Sequence, residues 1–314
     1  MSDSSHAPRL VPPSMGLRLG AYAFAVFVLV TDQWSKQAAV EHLASPDHPM
    51  IVDGDGARDA VALLVGHGLD EAEARAAVER RVVWRLAPAG SVDLAAPARE
   101  SAGQLFVREG TGKPAPRRLR PSPDAPTETL GEAMQREWRV DAAQASALAP
   151  TLLQAEGVWT EPTGTVPAGT SLALLERERP VIDGFMRYVY AENPGAAWSF
   201  LRDAPVGFRT AFFSVIAILA SLAMILAIWT GWMGSAAGTI ALGGILGGAV
   251  GNLIDRNRYT VVVDFVLNYV GEHRWPVWNI ADAGITVGVA AILIEALLGM
   301  RTGGSTQDAS ADAA

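Results

Sequence analysis

Two aspartates in the C-terminal half of the chain have the residue type and the setting for acid–base chemistry. Asp264 follows one long apolar run and Asp282 opens another, and charges at such places are costly unless they are paired or used. When two carboxylates come close in a low-dielectric setting, one of them takes up a proton and the two titrate as a unit. The ionised member can then activate water, while the protonated member polarises a carbonyl and later donates to a leaving nitrogen. This chemistry suits the hydrolysis of an amide.

The spacing of the two aspartates does not by itself decide between chemistry and a structural role. They lie 18 residues apart, too far for their side chains to meet along one helix, where this spacing is about 27 Å. A hairpin between them therefore has to bring both to the same depth. Solvated loop or helix-cap positions explain them equally well. The same holds for Asn252 and Asn279, whose amides either donate hydrogen bonds to a substrate or cap helices.

A third carboxylate, Asp255, is followed directly by Arg256, and we expect a local structural ion pair between them. Other catalytic classes find less support, because the chain has no cysteine and its five histidines do not cluster. Ser35 adjoins Lys36, so that on a helix their side chains would diverge. We therefore expect no metal and no cofactor. The lack of a basic cluster with interleaved aromatics argues against nucleic acid as a partner.

The first apolar segment predicts a membrane-spanning helix. Its uncharged core at 19–31 has 13 residues, a length that also fits a cleaved signal peptide. We favour an anchor because no cleavage site follows and because the helix can continue to about Leu43, which gives it enough length to span. In that helix Asp32 and Lys36 stand at positions i and i+4 and can neutralise each other.

Three more spans are expected in the C-terminal half. Residues 210–254 form 45 residues without a charge, and the turn signal at 230–234 divides them into two spans. Glycines in the second of these allow close helix approach in lipid. The last span should run from about Asn279 to Met300. Basic residues beside the spans favour cytoplasmic termini, namely Arg9, Arg18 and Arg301. The loop that carries Arg256, Arg258 and Arg274 counts against this orientation, so that the charge signal alone is weak.

The block at 46–178 differs in character from the apolar segments. It carries 20 acidic and 14 basic side chains, so most of the formal charge of −8 lies within it. Helices are predicted after Asp70 and from about Leu130 to Leu148. A Val-Trp pair followed by Pro-Ala-Gly and then Ser or Thr occurs twice, which indicates either duplication of a small α+β unit or chance. Residues 180–201 then favour strands and a turn.

Five short motifs in this order resemble those of the lipoprotein signal peptidases, also called signal peptidase II. They are TDQWSK at 31–36, NPGAAWS at 193–199, GGAVGNLIDR at 247–256, VDF at 263–265 and WNIAD at 278–282. Each short motif is weak alone, but together with four spans in matching places they are specific. The resemblance covers about residues 15–45 and 179–300, and the block at 46–178 has no counterpart in the usual short enzyme.

The resemblance implies an aspartyl endopeptidase of the bacterial inner membrane. Such enzymes remove the signal peptide from prolipoproteins, just before a cysteine that carries a diacylglyceryl group, and they are inhibited by compounds of the globomycin type. It implies that Asp264 and Asp282 form the catalytic dyad. The positions that it associates with substrate binding or support are Asn193, Gly195, Asn252, Arg256, Asn279 and Ala281, and the structural positions are Asp32, Lys36 and Asp255. The implied partners are the lipidated precursor and membrane lipid.

The expected fold is thus a membrane all-α core of four transmembrane helices with a small extracytoplasmic β-cradle, plus an inserted soluble α+β domain. The segments are 1–45 with the first span, the insertion at 46–178, the cradle and remaining spans at 179–303, and a polar tail at 304–314. Both termini are expected in the cytoplasm and the active site at the outer face. The insertion could recruit an extracytoplasmic partner, gate access or have no catalytic role.

Two other functions stay open from the residues. One is a small proton-coupled transporter whose intramembrane carboxylates relay protons, although that would require polar residues along a path through the membrane. The other is a catalytically silent homologue that acts through its insertion. The intact pair of aspartates argues against the second.

Overall fold

The computed structural model describes residues 13–108, 118–123, 125–138, 140–194, 206–259 and 261–311. The chain divides into two compact units. The helical unit comprises Met1–Lys36, Pro194–Val262 and Trp278–Ala314, and the sheet unit comprises Gln37–Asn193 and Val263–Val277. Asp264 therefore belongs to the sheet unit and Asp282 to the helical unit.

Helices and strands are labelled in chain order. The α-helices are α1 (Met15–His42), α2 (Ala60–Gly66), α3 (Glu71–Glu79), α4 (Ala98–Ser101), α5 (Leu130–Trp138), α6 (Ala142–Leu148), α7 (Val206–Thr230), α8 (Ala236–Tyr259) and α9 (Ile280–Ala311). The strands are β1 (Met50–Asp53), β2 (Val83–Pro88), β3 (Leu105–Phe106), β4 (Leu153–Val158), β5 (Ser171–Leu174), β6 (Arg179–Ile182), β7 (Met186–Asn193), β8 (Val262–Val270) and β9 (His273–Arg274). Short 3₁₀ turns follow α4 (Ala102–Gln104) and α6 (Ala149–Thr151).

Four helices in the described part of the chain are long and apolar enough to cross a membrane. They are α1, α7, α8 and the stretch of α9 from Ile280 to Leu298, which confirms the four predicted spans. The first helix continues to His42 as expected, and α7 and α8 are separated by the short turn at 231–235. The protein is thus a membrane protein whose helical unit is built on these four helices.

Glycines on α8 allow its two neighbouring helices to come close. A Cβ atom on Gly243 would collide with the backbone carbonyl of Ala21 in α1, and one on Gly248 would collide with the carbonyl of Ala281 in α9. Helices in lipid associate through such close backbone approach. The glycine-rich face of α8 therefore fixes where the first turn of α9 lies, and with it the position of Asp282.

The sheet unit contains a five-stranded sheet in the order β1-β5-β2-β4-β3, with antiparallel pairing throughout. Two halves have the same plan, because β1 is followed by α2, α3 and β2, and β3 is followed by α5, α6 and β4. The strands β2 and β4 that end the halves lie side by side. Each half has its own apolar core. This arrangement favours duplication over chance as the origin of the repeated Val-Trp motif.

One helix prediction in this region was wrong. We expected a single helix from about Leu130 to Leu148, whereas α5 ends at Trp138 and α6 starts at Ala142. Asp141 has an extended backbone and caps α6, because its side chain accepts the Gln144 N–H while the Gln144 side chain accepts the Asp141 N–H. This reciprocal capping box starts a new helix. The other expected helix is confirmed as α3, with Asp70 as its N-cap.

A second sheet follows, in the order β6-β7-β8-β9. It confirms the strands expected at 180–201 as far as the chain is described there. The sequence left a loop position open for Asp264, but the residue lies within β8, and β8 and β9 form a hairpin that pairs Tyr269 with Arg274. The run of valine, phenylalanine and tyrosine at 261–270 is the strand signal that explains this difference.

The segment at 46–178 begins and ends at one place in the sheet unit. Ala44 and Arg177 form an antiparallel bridge in which each backbone N–H donates to the other residue's carbonyl, at 3.3 and 3.1 Å. The chain therefore leaves α1 and returns beside it before it enters β6. A deletion within this segment that spares Arg177 therefore keeps both members of the bridge and leaves the elements on either side joined.

Candidate active site

Lys36 is the centre of a polar cluster inside the helical unit. Its side chain is 4% exposed, and its ammonium group lies 2.9 Å from Oδ2 of Asp32 and 2.9 Å from Oδ2 of Asp255. It also donates to Oδ1 of Asn252 at 3.0 Å. The predicted contact between Asp32 and Lys36 at i and i+4 is confirmed. The same lysine in addition connects α1 to α8.

The partner of Asp255 differs from the one that we expected. Its ion pair is with Lys36, and Gln33 donates a second hydrogen bond to it at 3.0 Å. The guanidinium carbon of Arg256 lies 4.5 Å from the ring centroid of Phe213 in α7. Adjacent residues on a helix point in directions about 100° apart. Asp255 therefore faces α1 and Arg256 faces α7, which adjacency in the sequence could not show.

Asp32 connects α1 to the start of α9. One of its carboxylate oxygens accepts the backbone N–H of Ala281 at 2.9 Å, and the other approaches Gly251 of α8 so closely that a Cβ atom there would collide with it. Ala281 itself is fully buried. The first motif, at 31–36, is thus joined to the third and the fifth within one unit, although more than 200 residues separate them in the chain.

Asp282 is held by two asparagines. Its Oδ1 accepts a hydrogen bond from the side-chain amide of Asn252 at 2.9 Å. Its Oδ2 accepts the backbone N–H of Asn279 at 3.3 Å, while the Asn279 side chain accepts the N–H of Asp282 at 3.0 Å. This is a capping box at the start of α9. Asn279 and Asp282 therefore do cap α9, as one of the two alternatives predicted. The same hydrogen bonds also orient the Asp282 carboxylate.

Asp264 lies on β8 in the sheet unit and is 2% exposed. The side-chain amide of Asn193, at the end of β7, donates to its Oδ2 at 3.0 Å. On the next residue of β8, the Phe265 ring meets Tyr188 of β7 edge-on, with ring centroids 5.9 Å apart. A buried strand thus positions Asp264, and an amide on the neighbouring strand orients it.

The segment at 46–178 contacts the strand that carries Asn193. Arg120 lies 3.2 Å from the carboxylate of Glu192, and it also approaches Asp47 and Glu137 at 3.4 Å each. Burial raises the pKa of Glu192, and the carboxylates of Asp47 and Glu137 raise it further, although Arg120 opposes this. Sequence reasoning did not single out these residues, and no motif marks them. They join the insertion to β7.

Not every expected site residue can be placed. Gly195 and residues 196–199 of the second motif lie outside the described part of the chain. Of the other expected residues, Asp32, Lys36, Asn252, Asp255, Asn279, Ala281 and Asp282 form one connected cluster in the helical unit. Within the described ranges, no three His, Asp or Glu side chains are grouped so that they could hold a metal ion.

Comparison with known proteins agrees with these motifs. Residues 168–298 match the family model described as signal peptidase (SPase) II. The lipoprotein signal peptidase of Syntrophus aciditrophicus (strain SB) is 39% identical over 121 residues, which are 38% of this chain and 75% of that protein. The lipoprotein signal peptidase of Xanthomonas campestris pv. campestris (strain 8004) is 42% identical over 117 residues, 37% of this chain and 68% of that protein.

Among solved structures, a bacterial membrane enzyme determined by the in meso method is 29% identical, with a TM-score of 0.34. That comparison covers 40% of this chain and 73% of the other. The family match begins at residue 168, so it includes neither α1 nor most of the insertion. The contacts of Asp32 and Lys36 nevertheless connect α1 to residues inside the matched region.

Proposed function

Because the chain belongs to the lipoprotein signal peptidase (signal peptidase II) family, we propose that it removes the signal peptide from bacterial prolipoproteins. The proposed substrate is a precursor whose cysteine carries a diacylglyceryl group, and the bond cut is the one just before that cysteine. The proposed mechanism is of the aspartyl type, with Asp264 and Asp282 as the dyad that activates water and assists the leaving amine.

The observation that carries this proposal is how Asp282 is held. Both of its oxygens accept hydrogen bonds, from the Asn252 side chain and from the Asn279 backbone. These residues belong to the third and fifth motifs, and the ammonium of Lys36 from the first motif contacts Asn252. A simple helix cap would not require a buried ammonium group to orient one of its partners. An oriented carboxylate is what acid–base catalysis requires.

Asp264 has the matching features of a second catalytic carboxylate. It is buried on β8 and oriented by the Asn193 amide. The β8–β9 hairpin and the short segment after it are all that separates Asp264 from α9 in the chain. We propose that this short connection brings the two carboxylates to act on one peptide bond.

We also propose the cellular setting. The four helices would lie in the bacterial inner membrane with both termini in the cytoplasm and the site at the outer face. Residues 46–178 would then form a soluble extracytoplasmic α+β domain, and β6–β9 would form the cradle beside the membrane. Arg256, Asn193 and Gly195 would contact or support the lipidated substrate, and inhibitors of the globomycin type would compete with it.

The test is cleavage of a diacylglyceryl-modified precursor by the purified full chain, with the products identified by mass spectrometry. Asp264→Asn and Asp282→Asn should each lower the rate by about 10²–10⁴-fold or more, the range that general acid–base groups contribute. Asp183→Asn is the matched control, because Asp183 is exposed in the turn between β6 and β7. Its rate should equal that of the unchanged chain.

Intact folding of each variant is checked by gel filtration and tryptophan fluorescence in detergent. Full activity in either dyad variant would contradict the assignment of that residue. An unchanged precursor with every protein, including the unchanged chain, would contradict the peptidase function and leave a transporter or a silent homologue. Cleavage at a bond other than the one before the lipidated cysteine would contradict the proposed specificity.

A further inference from the structure

We propose that Arg120 in the insertion is a positioning residue for the reaction. It holds Glu192 on strand β7, and Asn193, the next residue on that strand, orients the Asp264 carboxylate. All four residues belong to the sheet unit. Arg120 lies outside the family match, which begins at residue 168, whereas the other three lie inside it. This proposal rests on the proposed function, in which Asp264 is catalytic, and deepens it by giving the insertion a part in the reaction.

Arg120 is itself held in place by the backbone around it. The Arg118 N–H donates to the Asp47 carbonyl at 3.2 Å, and the Leu119 N–H donates to a carbonyl of β3 at 2.9 Å. The Leu119 side chain is fully buried in the apolar core of the second half of the insertion. The Arg120 carbonyl accepts a hydrogen bond from Arg136 of α5 at 2.7 Å. The guanidinium of Arg120 thus reaches β7 from a fixed backbone.

The charge of Arg120 is what allows Glu192 to be buried. Its guanidinium lies 3.2 Å from Glu192 and 3.4 Å from both Asp47 and Glu137. Glu137 has Arg136 as a second partner, and Asp47 is 41% exposed and can be hydrated, whereas the Glu192 side chain is only 7% exposed. A buried carboxylate that loses its cation is strongly unfavourable. Loss of Arg120 should therefore push Glu192, and the end of β7 with it, away from the insertion.

A second contact holds the same face of β7. Residues two apart on a strand point to one side, so Tyr190 and Glu192 face the insertion together. The Tyr190 ring stacks on His48, which is 3% exposed, with ring centroids 4.6 Å apart. The Tyr190 hydroxyl donates to Glu192 at 3.3 Å. The insertion therefore contacts β7 at two positions that are linked to each other.

The opposite face of β7 carries the contact with Asp264. Asn193 follows Glu192 directly and points to the other side of the strand, where its amide donates to Asp264 Oδ2 at 3.0 Å. On β8 the same alternation separates Asp264 from Phe265, whose ring meets Tyr188. A shift of β7 at Glu192 therefore moves the Asn193 amide. Misplacement of a catalytic group by about 1 Å can cost about 100-fold in rate.

Deletion of residues 48–176 differs from the loss of Arg120 alone. The deletion removes the cation together with the insertion's side chains around Glu192, so that water can solvate the carboxylate. Arg120→Gln removes the cation and leaves the burial. We therefore expect this one substitution to lower the rate more than deletion of the whole segment does.

Steady-state kinetics of the full chain on a lipidated precursor test the proposal. Arg120→Gln should lower kcat by about 10- to 100-fold. It should leave KM within about twofold, because a contact that orients a reacting group acts on the transition state. Glu192→Gln should lower kcat by about threefold at most, since its side-chain carbonyl still accepts from Arg120. With both changes kcat should return to within about threefold of the unchanged chain, because no buried charge remains at position 192.

Arg108→Gln is the matched control. Arg108 also belongs to the insertion, and it forms an ion pair of similar exposure with Asp53 of β1 at 2.9 Å and donates to Ser171 of β5 at 3.2 Å. Both partners are in the five-stranded sheet, so the change breaks an ion pair of the insertion without altering β7. Its kcat and KM should equal those of the unchanged chain.

A second variant breaks the same contact from the side of β7. In Glu192→Ala, Arg120 keeps Asp47 and Glu137 as partners and no buried carboxylate is left unpaired, so this variant tests the proposal even where Arg120→Gln does not fold. Its kcat should fall by about tenfold. A purely structural role of Arg120 would lower the melting temperature and the yield of folded protein without lowering kcat per folded molecule.

Hydrogen exchange gives a readout that does not need cleavage. In Arg120→Gln the amides of β7 and β8 should exchange faster than in the unchanged chain, while those of α2 and α3 should keep their rates. Arg108→Gln should leave the exchange of β7 and β8 as it is. Equal exchange of these two strands in Arg120→Gln and Arg108→Gln would overturn the hold of Arg120 on β7.

Unchanged kcat in folded Arg120→Gln, or in Glu192→Ala, would overturn the proposal, and so would a rise in KM alone. A double variant as slow as Arg120→Gln would overturn the route through the buried charge of Glu192. Failure of the unchanged chain to cleave a lipidated precursor is a different result, because it overturns the proposed function itself. In that case hydrogen exchange still decides whether Arg120 holds β7 and β8 in place.

Discussion

Lys36 in α1 and Asp255 in α8 form a buried ion pair, with Nζ 2.9 Å from Oδ2 and side chains that are 4% and 1% exposed. The two residues lie on either side of the segment at 46–178. The family match starts only at residue 168, and this contact joins α1 to α8, which lies inside the matched region. When one member of such a buried ion pair is removed, the charge of the other is left uncompensated and the protein loses stability.

Lys36→Met should destabilise the helical unit strongly. The change leaves Asp32 and Asp255 buried without their cation, and breaking a buried ion pair in this way costs about 3–5 kcal/mol. We expect a lower melting temperature and aggregation in detergent. Lys36→Met combined with Asp255→Asn should recover part of the loss, because it removes one of the two uncompensated charges. Equal stability of the single and double variants would contradict the pairing.

Gly248→Ala should displace the first turn of α9. A Cβ atom at this position collides with the Ala281 carbonyl and with the side chain of Ile285, and overpacking of this kind typically costs about 1–3 kcal/mol. Because Asp282 follows Ala281 directly, cleavage should fall together with thermal stability. Gly207→Ala is the control, since nothing lies within 4 Å of a Cβ atom at Gly207. A Gly248→Ala protein with unchanged melting temperature and rate would contradict the close contact of α8 with α9.

Deletion of residues 48–176 should leave an active membrane core. Ala44 and Arg177 are bridged, so the three residues 45–47 can join them as a short hairpin loop. We expect cleavage of the lipidated precursor to stay within about tenfold of the full chain, which corresponds to about 1.4 kcal/mol. Normal membrane insertion with no cleavage would contradict an accessory role. It would point instead to the contacts of Arg120 with Glu192 on β7.

Glu128 should make the insertion sensitive to acid. Burial acts to raise the pKa of Glu128, but hydrogen bonds from Arg136 and from the Ser122 backbone outweigh it and lower the pKa below its ordinary value of 4.5. A lowered native pKa means that its stabilisation is complete above about pH 4.5 and is lost as the pH falls through the native value. Arg136 contacts both carboxylate oxygens, at 2.7 and 3.1 Å.

Hydrogen exchange of α5 and α6 as a function of pH measures this effect. Glu128→Gln should lower the protection of these amides, relative to an unfolded chain at the same pH, at neutral pH. It should also flatten the loss of protection below about pH 4.5, the ordinary glutamate pKa. Glu79→Gln is the matched control, because Glu79 is exposed at the end of α3. The pH dependence of that variant should follow the unchanged chain. A Glu128→Gln protein with the same acid sensitivity as the unchanged chain would rule out this ion pair as its source.

The membrane spans could be predicted from the sequence because they depend on local properties. The length of the uncharged run and the turn signal within it predicted α7 and α8. The i,i+4 spacing on a helix predicted the contact between Asp32 and Lys36. The partner of Asp255 could not be predicted, because Lys36 reaches it from 219 residues away and adjacency favoured Arg256. The orientation of Asn252 depends on that same lysine and was equally out of reach.

The structure also differs from the sequence-based predictions in the placement of one strand and in a break between two helices. The position of Asp264 between two spans did not predict strand β8, which lies between β7 and β9 in the sheet. The break between α5 and α6 depends on a capping box at Asp141 within a segment that is otherwise rich in helix-forming alanine. Pairing with other strands determines where β8 lies, and one capping residue determines where α6 begins.

The contact of Lys36 with Asn252 also bears on biosynthesis. The two residues are 216 positions apart, and at about 5–20 residues per second a ribosome needs roughly 10–40 s to make the chain between them. During that time α1 has emerged, and its lysine has only Asp32 of the two carboxylates that it finally contacts. Until α8 has been made, the i,i+4 pair lets the charge of Asp32 compensate that of Lys36 within the nascent helix. A chain that lacked Asp32 would carry an uncompensated positive charge into the bilayer for that entire interval.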